Sequence, residues 1–333
     1  MTDRFPEGPH LLIVRQAVRR WIARHSSDRA VCVALSGGPD SLALTAACVA
    51  EGADVHAVVV DHGVQSGSAE VAHWAAETAR ELGCAQATVL GVSVDGTGGP
   101  EAAARRARYD ALDAARGYRP ILLGHTLDDQ AETVLLGLAR GSGPRSLRGM
   151  SEWAPPRGRP LLGVRRESTA AACAELGLHG WQDPQNLDPA FTRVRLRLEV
   201  LPLLEEVLHG GVAEALSRTA DHLREDEDVL DALAAEVLAR ASAGDGPNVA
   251  ELNVAELTDV PAALRRRVIR GWLAVNGVSA TSDAQLRAVD DLVGRWRGQG
   301  GVAVSGGGCA GRLAAVRRHG KLGLVRTTDT LHD

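Results

Sequence analysis

The sequence predicts an α/β protein: an open, doubly wound parallel sheet, followed by a helical and small α+β C-terminal domain. Three observations carry this. From Ala30 to about residue 140, short apolar runs alternate with amphipathic segments, the pattern of parallel strands covered by helices on both faces. The run Val31-Cys32-Val33-Ala34-Leu35 empties into Ser36-Gly37-Gly38-Pro39-Asp40-Ser41, and helical material restarts at Leu42-Ala43-Leu44. Beyond about residue 210 the alternation gives way to helical periodicity and then to short strand-like stretches separated by Gly. The expected division is therefore 1–209 and 210–333.

Residues 10–25 set Leu11, Val14, Val18, Trp21 and Ile22 at helical spacing with Arg on the other face, a packing helix ahead of the sheet. Next come strand 30–35, helix 39–51, strand 54–60, helix 67–83, strand 85–90, helix 100–116, strand 119–124 and helix 127–140. Residues 141–166, rich in Gly, Pro, Ser and Arg, are expected to be exposed and mobile. A short helix near 167–177 precedes the turn-rich 182–189. Helix is expected over 198–240, with Glu225-Asp226-Glu227-Asp228 as a solvated face, then a linker over 241–247. Helices near 251–275 and 282–295 precede strands at 302–304, 313–316 and 322–325.

Composition limits the function classes. Aromatic residues are 3%, so Ala, Leu and Val must build most of the core, and a net charge of −5 excludes a wholesale polyanion binder. Local charge differs: Arg140, Arg145, Arg148, Arg157, Arg159, Arg165 and Arg166 face one acid, Glu152, and Arg193, Arg195 and Arg197 form a second basic cluster. The five cysteines are scattered without metal-ligand spacing, which points to a reducing cytosol and no structural zinc. No apolar run approaches membrane-spanning length, and the N-terminus lacks a signal-peptide pattern, so a cytoplasmic protein without membrane partners is expected.

In an open parallel sheet, ligands bind beyond the carboxyl ends of the strands. Three motifs fall there. Ser36–Ser41 is a strand-to-helix turn whose glycines permit close backbone approach, with Pro39 in the first helical turn and a helix dipole behind it, a cradle for an anion. It lacks the Lys of the common nucleotide loop, so Asp40 suggests a Mg²⁺ carried by the phosphates. Asp61-His62-Gly63 ends the second strand, suited to adenine or ribose or merely to capping. Leu123-Gly124-His125-Thr126-Leu127-Asp128-Asp129-Gln130-Ala131-Glu132-Thr133 leaves the fourth strand and sets Asp128, Asp129 and Glu132 in the first turns of the next helix. Its acids are either helix caps or, with Asp40, holders of a metal. Arg105, Arg108 and Tyr109 share one helix face at the same rim, solvated or turned to phosphate.

The Ser-Gly-Gly-x-Asp-Ser loop resembles that of the Rossmann-like ATP pyrophosphatases. The ordered set from residue 28 to 203, including Glu101 to Tyr109, Arg140-Gly141-Ser142-Gly143, Arg159-Pro160-Leu161-Leu162 and Asp183 to Arg197, is similar to the tRNA(Ile)-lysidine synthetase family. That resemblance implies ATP with Mg²⁺, free L-lysine and an isoleucine tRNA with a CAU anticodon. The C2 oxygen of the wobble cytidine is adenylylated and lysine then displaces AMP, moving codon reading from AUG to AUA. It implies Asp40, Arg105, Asp128 and Asp129 as catalytic, with metal at Asp40 and Asp128. Ser36, Gly37, Gly38, Pro39, Asp40, Ser41, Asp61, His62, Gly124 and His125 would contact ATP, and Arg108, Arg140, Arg145, Arg193, Arg195 and Arg197 the tRNA. A homodimer stays open. Gln65, Gln185 and Val194 depart from the family pattern. The rival readings are a tRNA thiolase, which needs paired cysteines, and a nucleotide-sensing or tRNA-binding protein without catalysis.

Overall fold

The computed structural model describes residues 5–6, 8–63, 67–93, 99–141, 143–181, 183–242, 251–278, 281–304 and 312–327. The chain divides into two compact units, Met1–Asp221 and His222–Asp333.

The first unit opens with α1 (Pro9–His25), which buries the predicted stripe Leu11, Val14, Val18, Trp21 and Ile22. The alternation then follows as β1 (Ala30–Ala34), α2 (Pro39–Ala50), β2 (Asp54–Asp61), α3 (Ser68–Leu82), β3 (Gln86–Gly91), α4 (Pro100–Ala115), β4 (Ile121–Leu122) and α5 (Leu127–Arg140). All five β1 residues are buried, as a strand covered on both faces requires. The sheet order is β3-β2-β1-β4-β6-β5, parallel except for the last pair. The connections diverge between β1 and β4, so the loops after those strands open one crevice.

Residues 143–166 form more regular structure than their composition suggests. They form α6 (Pro144–Leu147), β5 (Trp153–Ala154) and β6 (Arg157–Gly158), and β6 pairs with β4. Scattered apolar residues explain this: Leu161 and Val164 are buried, and Trp153 meets Trp21 edge-on at 5.4 Å. A Cβ on Gly158 would come within 2.2 Å of the Trp21 ring. After α7 (Arg166–Glu175), a 3-10 turn at Pro184–Leu187 leads to α8 (Thr192–Arg195). A π-helical turn at Leu196–Val200 and α9 (Leu201–Val207) follow.

α10 (Val212–Ala241) runs on into the second unit, where β7 (Glu251–Asn253), α11 (Ala255–Thr258), α12 (Ala262–Val275), α13 (Asp283–Gly294), β8 (Val302–Val304), β9 (Arg312–Arg318) and β10 (Lys321–Thr327) follow. The antiparallel order is β7-β10-β9-β8. The single helix expected over 251–275 is therefore a strand and two helices: Leu252 pairs with Leu322 in the sheet, and Pro261 stands at the start of α12. The core of this unit centres on Trp272, Ile269, Leu273 and Leu286. Glu227, expected on a solvated face, is instead buried and ion-paired with Arg267. The linker expected over 241–247 lies largely outside the described residues.

A second buried pair joins α12 to α13. Arg265 Nε donates to Asp290 Oδ1 at 2.5 Å and its Nη1 to the Val260 carbonyl at 3.0 Å. Asp290→Ala strands a buried guanidinium, so this unit is expected to lose about 3–5 kcal/mol, read as a lower denaturant midpoint.

Candidate active site

The turn after β1 is built around Gly37, whose φ of +82° belongs to the left-handed region. Gly38 is the N-cap of α2 and Pro39 its first residue. Ser41 knots the turn: its hydroxyl donates to the Gly38 carbonyl at 2.9 Å and accepts from the Ser36 N–H at 3.1 Å. Gly124 allows the β4 turn to lie against this loop, since a Cβ there would stand 3.1 Å from the backbone of Asp40 and Ser41.

A cavity of about 530 Å³ opens at the carboxyl ends of β1 and β2. Ser36, Asp61, His62, Arg105, Arg108 and His125 all line it, so three separate motifs and one face of α4 meet there. Tyr109 shares this wall, with Arg105 at 5.0 Å and Arg157 at 4.6 Å from its ring centre. Arg108, expected at the tRNA, thus stands in the cavity with Arg105. Asp61 accepts the Gly63 N–H at 2.9 Å, and that bond holds its carboxyl below the usual range. His62 is pushed down by burial and by Arg108.

His125 is held neutral chiefly by burial, its pKa lowered to about 4, with Arg159, Arg108 and Arg105 opposing a positive charge and Asp129 favouring one. The unfolded imidazole protonates near 6.5, so the unfolded state binds more protons between those values. Stability tied to His125 is therefore intact above about pH 6.5 and is lost as pH falls toward 4. Unfolding measured from pH 7 to 4 should show a shallower decline in His125→Asn than in the wild type; superimposable profiles would refute this.

Asp40, Asp128 and Asp129 are not among the residues that line the cavity; they gather around Arg166. Asp40, at the start of α2, accepts from the Thr169 hydroxyl and has Arg166 Nε 3.5 Å from its other oxygen. Burial raises its pKa against the pull of those two partners, and the nearby charge of Asp129 raises it further. Asp129 closes a capping box with Thr126 at the start of α5. Its carboxyl is disfavoured by burial but held below its ordinary value by Arg166 and the Thr126 N–H. Asp128 has both oxygens engaged, one with Arg165 at 3.1 Å and one with the Arg166 N–H at 2.7 Å.

The basic residues expected at the tRNA divide. Arg197 Nε lies 2.8 Å from the fully buried Glu132, and Arg193 donates to Thr133 at 3.2 Å. Both therefore engage α5. Arg195 pairs with Glu199 across one exposed helical turn; Arg140 and Arg145 are exposed. Sequence reasoning named Glu132 among the acids of α5 and Asp183 and Gln185 within the family pattern, but missed Arg166 and Thr169 as a hub and Trp181 and Phe191 in the cavity wall. The Trp181 N–H donates to the Gly37 carbonyl at 2.9 Å, tying that wall to the loop. Asp129 and Glu132, three apart, share one face of α5. Of the departures, Gln185 lines the cavity, Val194 is buried, and Gln65 lies outside the described residues.

Residues 12–204 match the PP-loop domain family, and residues 252–322 match the TilS substrate binding domain. The U34-tRNA thiolase NcsA from Methanococcus maripaludis shares the fold. Its TM-score is 0.53 at 20% identity, covering 65% of this chain and 80% of that one. Fold and site define a PP-loop protein that uses ATP. Among the curated relatives, the tRNA(Ile)-lysidine synthase of Rhodococcus jostii (strain RHA1) is 61% identical over 317 residues, 95% of this chain and 96% of that protein. The enzyme of the same name from Nocardia farcinica (strain IFM 10152) is also 61% identical, covering 94% and 98%. The chain belongs to the tRNA(Ile)-lysidine synthase family, a family of ATP-dependent ligases.

Proposed function

We propose that the protein ligates lysine to C2 of the wobble cytidine of an isoleucine tRNA with a CAU anticodon. The observation that carries this is the convergence of Ser36, Asp61, His62, Arg105, Arg108 and His125 on one cavity beside the acids at Asp40 and Asp129. ATP is held by Ser36–Ser41, Asp61, His62, Gly124 and His125. The cytosine C2 oxygen attacks the α-phosphorus and pyrophosphate leaves. The oxygen is then a leaving group, so the amine of free lysine adds at C2, AMP departs, and the ammonium proton is lost. The lysidine so formed pairs with A, which changes codon reading from AUG to AUA.

Two arginines line the cavity, where they favour charge that develops on phosphate, and in this reading the exposed Arg105 acts at the α-phosphate. A Mg²⁺ on the triphosphate takes one or two carboxylates and keeps several waters. The donors here are hard oxygens that suit it, although no three His, Cys, Asp or Glu side chains gather as a closed cage among the described residues. Asp40 and Asp128 would hold it with Asp129 near, in exchange for protein partners that all three carboxylates have in this structure: Thr169 and Arg166 on Asp40, Arg165 and the Arg166 N–H on Asp128, Arg166 and Thr126 on Asp129. When bound, that ion supplies the positive charge the loop lacks for want of Lys.

Exposed Arg140, Arg145 and Arg195 suit the tRNA backbone, and the second unit suits recognition further along it. No described helix is long and apolar enough to cross a membrane, consistent with work in the cytoplasm. The thiolase reading is disfavoured because, of the described cysteines, Cys32, Cys48 and Cys173 are buried, Cys84 is half-buried, and no group of three His, Cys, Asp or Glu side chains forms among the described residues.

The test is incubation with ATP, Mg²⁺, labelled lysine and isoleucine tRNA bearing CAU, with methionine tRNA of the same anticodon beside it. Label should enter the isoleucine tRNA alone, with AMP and pyrophosphate released. Label in neither tRNA would overturn the proposal.

A further inference from the structure

The geometry points to Arg166 as a positioning residue of this reaction, one that aligns Asp40 with Asp129 without touching the substrate. The inference rests on the adenylylation reading above. Among the described residues Arg166 is the cation within ion-pair distance of both the loop acid and the acids of α5. Its Nη2 lies 2.5 Å from Asp129 Oδ1, Nη1 lies 3.3 Å from Glu132 Oε1, and Nε lies 3.5 Å from Asp40 Oδ2. Arg197 reaches Asp129 and Glu132 but is not paired with Asp40.

The main chain of the same residue adds two further ties. Its N–H donates to Asp128 at 2.7 Å, and its carbonyl accepts the Thr169 hydroxyl at 2.8 Å. That hydroxyl also reaches the second oxygen of Asp40. One residue at the start of α7 therefore bears on four carboxylates from two elements that are distant in sequence. Without the guanidinium, Asp40, Asp129 and the buried Glu132 would face one another with less compensation, and mutual repulsion in a poorly solvated place would drive them apart. A planar fork with donors on three nitrogens satisfies three acids at fixed angles, which a lysine ammonium cannot.

The phosphate cradle does not depend on this fork, because Gly37, Gly38 and Ser41 shape it through local bonds. Loss of Arg166 should therefore appear in turnover before it appears in nucleotide affinity. In Arg166→Gln, kcat for tRNA-dependent pyrophosphate release is expected to fall at least about 30-fold while KM for ATP changes less than about threefold. Arg166→Lys should recover roughly tenfold of that loss, since it restores charge without the fork. If Arg166 acts through Asp129, adding Asp129→Asn to Arg166→Gln should cost no more than about twofold beyond the worse single variant.

Circular dichroism and the thermal midpoint accompany each variant. Should Arg166→Gln fail to fold, Thr169→Val cuts the tie between Asp40 and the Arg166 carbonyl, with an expected loss of about fivefold in kcat at constant KM. Additive losses in the double variant, a rise in KM at constant kcat, or an Arg166→Gln enzyme as fast as wild type would overturn the inference. Lysine transfer by the wild-type enzyme is measured first. Its absence sinks the adenylylation reading and this inference together, whereas its presence beside additive losses sinks this inference alone.

Discussion

Asp40→Asn is expected to lower ATP-dependent pyrophosphate release by about 100- to 1,000-fold, or ~3–4 kcal/mol of barrier, while the fold survives. Its side chain is 25% exposed and lies among Thr169, Arg166 and the charge of Asp129. Asn retains an acceptor for the Thr169 hydroxyl and nearly the same volume, so packing changes little. What disappears is the negative charge at the head of α2, beside the phosphate cradle. The measurement is single-turnover pyrophosphate release with circular dichroism on the same sample. Turnover within about threefold of wild type, under ~1 kcal/mol, would remove Asp40 from the reaction. Asp128→Asn and Asp129→Asn should both lower adenylylation in the same assay. The Asp128 change also loosens the start of α7, where its carboxylate accepts the Arg166 N–H.

A chain ending at Asp221 should bind ATP with an affinity near that of the full chain and lose its preference for isoleucine tRNA over methionine tRNA. The boundary matters physically. Ala234, Val237 and Ala241 of α10 belong to the core around Trp272, so a chain cut near Ala241 would expose an apolar face that a chain cut at Asp221 does not carry. The residues that line the cavity and surround Asp40 all precede Asp221. Both tRNAs present the same anticodon, so a fragment that holds only the nucleotide cavity has little surface with which to tell them apart. Identity must be read on the stems, where shape and backbone contacts dominate. Filter binding and lysine transfer with each tRNA give the two numbers required. Full selectivity in the fragment would confine recognition to the first unit.

The sequence by itself determined the order of strands and helices from α1 to α5, because each apolar run and each amphipathic stripe is a local signal with its own period. It likewise determined the Ser36–Ser41 turn and the meeting of the strand-end motifs, since a parallel sheet places every carboxyl end on one edge. Tertiary structure alone decided the rest. β5 and β6 have two residues each, too short for any period, and they exist because β4 and Trp21 give them partners. Leu252 is a strand residue because β10 offers it hydrogen bonds, not because three residues prefer extension. The arginines that stand as two basic clusters in the sequence were divided by the fold: Arg166 and Arg197 turn to Asp129 and Glu132, while Arg140, Arg145 and Arg195 stay outside. Arg166 and Asp40 stand 126 positions apart. Charge pairing at that separation leaves no periodic trace in sequence, and only the packed chain brings the two groups within reach.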